Sequence, residues 1–220
     1  MTDRNKVFFI AGIVVVSLAI VIGAAVLLAN RSAAPGFTAT TVSAVTASDH
    51  ARGDASSTVS VIEYGDYECP ACGAYEPLVE QLAKEYGDRV NFVFRNFPLA
   101  EIHQNAMAGA EAAEAAARAG KFWEMHDLLY AKQNEWSVAS GAAVMQDLNG
   151  YAKSLGLDVA QFDADMQSPA VAAKIQADIA SGNAAEVNHT PTFFINLKQI
   201  PNPNSYAAFK SAIDSALAGH

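Results

Sequence analysis

Val59 to Cys72 reads VSVIEYGDYECPAC, and this stretch decides the fold. Its first six residues alternate and are β-branched, then meet Gly65-Asp66, a pattern that predicts a strand running into a loop. Beyond the loop stand Cys69 and Cys72, the only two cysteines in 220 residues. A disulfide stabilises mainly by closing a loop in the unfolded chain, and that contribution shrinks with the loop. Bridging Cys69 to Cys72 would constrain almost nothing, so the pair points to chemistry rather than stapling. A zinc site would need two further thiolates or histidines in a suitable arrangement, and no such set is visible.

Working outward, the period changes at Pro70. Tyr75, Leu78, Val79, Leu82 and Tyr86 recur at helical spacing, Gly87-Asp88 stops the helix, and Val90 to Phe94 reads as a second strand, which together predict a βαβ unit with parallel strands. The following section is rich in Ala and Glu. It predicts helices over 105–119, 122–132, 142–155, 159–166 and 169–180 with no strand between them. Strand pattern resumes at Thr192 to Asn196, with a short strand about Gln199 and Ile200, and Tyr206, Phe209, Ile213 and Leu217 mark a closing amphipathic helix. The helical section is therefore an insertion, about residues 99–183. Phe122, Trp123, His126 and Trp136 read as packing within it, and His50 and His103 carry no signal.

The N-terminus addresses the compartment. Val7 to Ala29 is an uncharged apolar run without proline, long enough for a helix to span a bilayer's hydrocarbon core. Arg4 and Lys6 before it, against Arg31 after it, put the N-terminus in the cytoplasm and the rest outside. The expected organisation is a cytoplasmic tail over 1–6, a single-pass membrane anchor over 7–29, a flexible Ala/Ser/Thr-rich linker over 30–50 and one domain over 51–220. Whether the apolar run is ever cleaved stays open. A formal net charge of −9 argues against nucleic acid as a partner.

The strand VIEYGDYE, CPAC opening a helix, a helical insertion, then HTPTFFIN and a closing helix resemble the membrane-anchored DsbA-like family of thiol-disulfide oxidoreductases, over roughly Ala55 to Leu217. The resemblance implies an α/β thioredoxin fold with an inserted α-helical subdomain, here preceded by one transmembrane helix. Cys69 would be the attacking and leaving thiol, stabilised as thiolate at a helix N-terminus with Pro70 at the first helical position. Cys72 would be the resolving thiol, and Glu63, six residues before Cys69, a buried acid moving a proton to or from it. The resemblance also implies a cis Thr190–Pro191 bond opposite the cysteines, with Thr190, Pro191, Pro70 and Ala71 facing substrate. His189 stands where the family often has glycine and is either a further stabiliser of the thiolate or a solvated loop residue, while Glu68 would oppose ionisation of Cys69.

No cofactor is expected besides the Cys69–Cys72 disulfide itself. The implied partners are exported proteins with free thiols or disulfides and a DsbB- or VKOR-like membrane redox protein. Two other readings stay open: a reductase or isomerase fed by a membrane electron donor, and a peptide-binding or holdase module without turnover.

Overall fold

The structure is a computed structural model that describes residues 39–219. The tail over 1–6, the anchor over 7–29 and the first part of the linker lie outside the described residues, and among the described residues no helix is long and apolar enough to cross a membrane.

The strand anticipated before the cysteines is β2 (Ser60–Gly65), and it forms the middle of a five-stranded sheet. The order is β1 (His50–Gly53), β3 (Asn91–Asn96), β2, β4 (Thr192–Ile195) and β5 (Lys198–Ile200). Helix α1 (Pro70–Tyr86) carries the chain from β2 to β3, which pair in parallel with Glu63 opposite Phe94. On its other side β2 pairs antiparallel with β4, placing Glu63 opposite Phe193. Every residue of β2 after Ser60 is buried, as a strand covered on both faces must be.

Alternation divides β2 between two layers. Val59 and Val61 pack with Val79 and Leu82 of α1 and with Phe209 and Ile213 of the closing helix α8 (Tyr206–Ala218). Ile62 and Tyr64 face the opposite layer, where Phe97, Phe194, Ala185 and Val187 meet them. The insertion between β3 and β4 comprises α2 (Ala106–Arg118), α3 (Phe122–Ala131), α4 (Gln133–Trp136), α5 (Ala142–Ser154), α6 (Val159–Met166) and α7 (Pro169–Ala184). Its core of Phe122, Met125, Leu129, Trp136 and Leu148 continues directly into Tyr67, Cys69 and Cys72. Phe122, His126 and Trp136 are buried there, as packing residues should be, and Trp136 Nε1 donates to the Leu129 carbonyl at 2.8 Å.

The linker expectation is corrected between residues 39 and 50. Val42 is buried against Ile62 and Phe194, and its N–H donates to the Leu197 carbonyl at 2.9 Å. Thr40 Oγ1 donates to the Ala185 carbonyl at 2.8 Å. Arg95 of β3 then reaches Asp49 through two nitrogens at 2.7 and 3.0 Å and the Ser43 and Ala44 carbonyls at 3.2 and 3.1 Å. The physical reason is an unpaired sheet edge and a buried arginine: both need partners, and the polar segment before β1 supplies them.

Candidate active site

The last residue of β2 is Gly65, where a Cβ would meet the Phe94 ring at 2.3 Å. The chain then turns through Asp66, a buried carboxylate that accepts from the Glu68 N–H at 2.8 Å, the Leu99 N–H at 2.9 Å and His103 Nδ1 at 2.7 Å. This fan of hydrogen bonds fixes the loop that delivers Cys69. Cys69 is the N-cap of α1, with extended backbone (φ −66°, ψ 118°), and Pro70 follows at the helix start where its missing N–H is not needed. Pro70 and Ala71 are exposed beside it.

The two thiols, both free, occupy different environments: Cys69 is 7% exposed and Cys72 is not exposed at all. A hydrogen bond from the Cys72 thiol, working against burial and helped by Thr190 and the backbone N–H groups of Cys72 and Ala71, brings the Cys69 pKa down to about 5. Burial pushes the Cys72 thiol well up, and its hydrogen bond to Cys69 and the charge of Glu63 add to that. One sulfur is thus held as thiolate and its neighbour as thiol.

From the far side, β4 begins immediately after a cis Thr190–Pro191 bond. Cys69 Sγ lies 3.4 Å from the Thr190 carbonyl oxygen, and the Thr190 hydroxyl is buried with no hydrogen-bond partner. Cys69, Cys72, Thr190 and Pro191 are therefore brought together, and Glu63 lies near enough for its charge to act on Cys72. His189 is not among them: it is exposed, its Nδ1 lies 2.8 Å from Asn188 Oδ1, and only its carbonyl is used locally, by Thr192 Oγ1 at 2.7 Å. Glu68 likewise turns its carboxylate to the Asn105 N–H at 2.5 Å.

Glu63 is buried on the α1 side of β2, beside a narrow crevice shared with Arg52, His126 and Trp123. Burial raises its carboxyl well above the ordinary range, the charge of Glu76 raises it further, and Arg52 opposes both. Glu76, one turn beyond Cys72 on α1, is pushed up to about 7, chiefly by burial, with Arg52 again opposing. Buried His126 is held well below the usual imidazole range by desolvation. Glu76, His126 and Asp127 present ligand atoms within 4.8 Å of one another. The Arg52 guanidinium bridges Glu76 and Asp127 at 3.3 Å each, so a cation of the chain's own already answers these carboxylates.

Sequence reasoning passed over Asp66, His103, Glu76 and Gln133. Gln133 Nε2 donates to the carbonyls of Tyr67 and Cys69 at 2.8 and 2.9 Å. None lies in a pattern that spacing alone would single out. A cavity of about 290 Å³ opens beside α1 between Gly73, Glu76 and Asp127. The larger one, about 720 Å³, is lined by residues such as Thr46, Ser57 and Asn91 and touches none of the redox residues.

A CxxC pair opening a helix, one thiol ionised and one buried, with a cis-proline loop against it, is the arrangement of a thioredoxin-fold protein. Residues 45–215 match the thioredoxin family model, and the chain belongs to that family. It is 41% identical over 171 residues to the Na(+)/H(+) antiporter NhaA 1 of Salinispora arenicola, covering 78% of this chain and 25% of that one. It is 37% identical over 171 residues to NhaA 1 of Mycobacterium sp. strain KMS, covering 76% and 26%. The chain thus spans about a quarter of the length of the curated relatives it matches.

Among solved structures, a thioredoxin-like oxidoreductase from Silicibacter pomeroyi is 27% identical with a TM-score of 0.65, over 78% of this chain and 93% of that one. Oxidised BdbD from Bacillus subtilis, 24% identical, shares the fold with a TM-score of 0.71 over 82% of this chain and 99% of that one.

Proposed function

We propose that the protein is an extracytoplasmic thiol-disulfide oxidoreductase that donates disulfides to exported proteins through Cys69 and Cys72. The observation that carries this reading is the asymmetry of the pair, with Cys69 at about 5 and Cys72 held well up. Stabilising the reduced thiolate makes the disulfide more oxidising and makes Cys69 the better leaving group.

In the forward reaction a client thiolate attacks Cys69 Sγ of the oxidised pair. The Sγ–Sγ bond breaks, Cys72 leaves with the electron pair, and Glu63, whose carboxyl burial pushes toward the protonated form, supplies the proton that the buried sulfur needs. A second client thiolate then attacks the client sulfur of the mixed disulfide and expels Cys69 as thiolate. The client gains a disulfide and the protein is left as the dithiol, two electrons richer. Reoxidation falls to a membrane disulfide donor of DsbB- or VKOR-like type. The client segment lies along the Thr190–Pro191 edge beside exposed Pro70 and Ala71.

The apolar run over 7–29 would hold the domain to the outer face of the membrane, with the N-terminus in the cytoplasm. Supporting this, the matched region forms part of proteins named as antiporters, which work across membranes. The test is the reduction potential of the full chain in detergent, equilibrated in glutathione buffers. A value near the oxidising end upholds the oxidase reading. One near that of thioredoxin, about −270 mV, would replace it with a reductase or isomerase supplied by a membrane electron donor. No exchange at all would leave a peptide-binding module.

A further inference from the structure

We propose that Gln133 is a positioning residue for the redox pair: its carboxamide reaches from the helical insertion onto the Tyr67 and Cys69 carbonyls and holds Cys69 where its sulfur meets the first-turn N–H groups of α1. The inference rests on the thiol-exchange reading above.

The geometry is specific. A carboxamide nitrogen carries two hydrogens, and Gln133 Nε2 has two acceptors, at 2.8 Å on Tyr67 and 2.9 Å on Cys69. The Cys69 carbonyl also accepts from the Gly73 N–H at 3.2 Å, the first bond of the helix, and the Cys69 N–H donates to the Asp66 carbonyl at 3.1 Å. The backbone of Cys69 is therefore tied locally at both ends, and Gln133 adds a hold on it from the insertion. The base of that hold is firm, because Gln133 opens the short turn α4 whose Trp136 is fully buried.

The redox motif is shaped to admit this side chain. A Cβ at Gly73 would lie 2.6 Å from Gln133 Oε1 and 3.1 Å from its Cδ. The residue directly after CPAC thus leaves the space that the carboxamide fills, although the two positions are far apart in sequence. Glycine inside a helix ordinarily costs stability relative to alanine, so its presence here is answered by this close approach.

The hold matters most in the reduced protein. In the oxidised form the disulfide itself fixes the position of Cys69, whereas in the dithiol only non-covalent contacts do. Losing the carboxamide should weaken the reduced thiolate more than the disulfide.

The experiment uses the full chain in detergent with Gln133→Ala, Gln133→Glu, Gly73→Ala and the double variant Gly73→Ala/Gln133→Ala. Cys69 ionisation is followed by thiolate absorbance, the redox equilibrium with glutathione, and folding by thermal melts of both redox forms. Gln133→Ala is expected to raise the pH at which Cys69 ionises and shift the equilibrium about tenfold toward the oxidised protein, about 30 mV. Gln133→Glu, which replaces two donors with an acceptor, should shift it further. Gly73→Ala should reproduce Gln133→Ala by expelling the carboxamide, and in the double variant the two effects should fail to add.

Equal loss of melting temperature in both redox forms, with ionisation and equilibrium unchanged, would reduce Gln133 to a structural clamp and overturn the proposal. Additive shifts from Gly73→Ala and Gln133→Ala would also overturn it. Wild-type protein that does not exchange with glutathione would instead overturn the thiol-exchange reading, and this inference with it.

Discussion

The Cys69 sulfur and the Thr190 carbonyl oxygen stand 3.4 Å apart, so the head of α1 and the foot of β4 meet at the reactive thiol. The buried Thr190 side chain also favours the thiolate. Thr190→Val keeps the shape and removes its hydroxyl. Cys69 should then titrate about one pH unit higher, a change of roughly 1.4 kcal/mol, and its disulfide should become less oxidising. An unchanged thiolate absorbance titration would show that the hydroxyl plays no part.

Mixed disulfides should accumulate on Cys69 when the buried partner cannot resolve them. In Cys72→Ser, membranes should yield covalent adducts to exported proteins that collapse on adding reductant, and Cys69→Ser should yield none. Adducts of equal abundance in both variants would mean that other chemistry traps them.

Stability should depend on pH in opposite senses through two groups. The folded Cys69 pKa, about 5, lies below the usual thiol value of about 8.5, so its contribution is complete above that value and is lost as pH falls through about 5. The folded Glu76 pKa, about 7, lies above the ordinary carboxyl value of about 4.3, so its contribution is present at low pH and is lost as pH rises through about 7. The stability of the reduced form relative to the oxidised form should therefore grow between about pH 5 and 8.5, on the order of a few kcal/mol. Glu76→Gln should lessen the decline between about pH 4.3 and 7 that both redox forms share, leaving the part that belongs to the raised carboxyl of Glu63. Denaturant midpoints across this range check both, and a flat difference between redox forms would count against the ionised Cys69.

Removing Asp49 should unfold more than a linker. Asp49→Ala leaves the buried Arg95 guanidinium without its carboxylate and should cost about 3 kcal/mol, read as a lowered urea midpoint. A loss within 0.5 kcal/mol would mean that the segment before β1 is dispensable to the fold.

The elements that sequence reasoning recovers best are those with a strong period and a clear boundary. The alternation of Val59 to Tyr64 and the helical spacing of Tyr75, Val79, Leu82 and Tyr86 place β2 and α1, and the cysteines follow at their junction. The first strand escapes because His50–Gly53 has only four residues, with burial that alternates between partial and none, and its pairing to β3 is a long-range fact. The segment holding Thr40, Val42 and Asp49 escapes for a related reason: its partners Ala185, Leu197 and Arg95 are distant in sequence. Gln133 and His103 sit in polar stretches whose spacing says nothing of the carbonyls and the carboxylate they reach.

The sheet order sets a further constraint, on biosynthesis. Cys69 follows β2 and Thr190 precedes β4, and the two partners at the thiol are separated by 121 positions. A nascent chain leaving the ribosome exposes CPAC long before Thr190 and the strand behind it arrive. During that interval the thiols lack both the Thr190 contact and the insertion that buries Cys72. The environment that favours the Cys69 thiolate is thus complete only after the last strands of the sheet have been made.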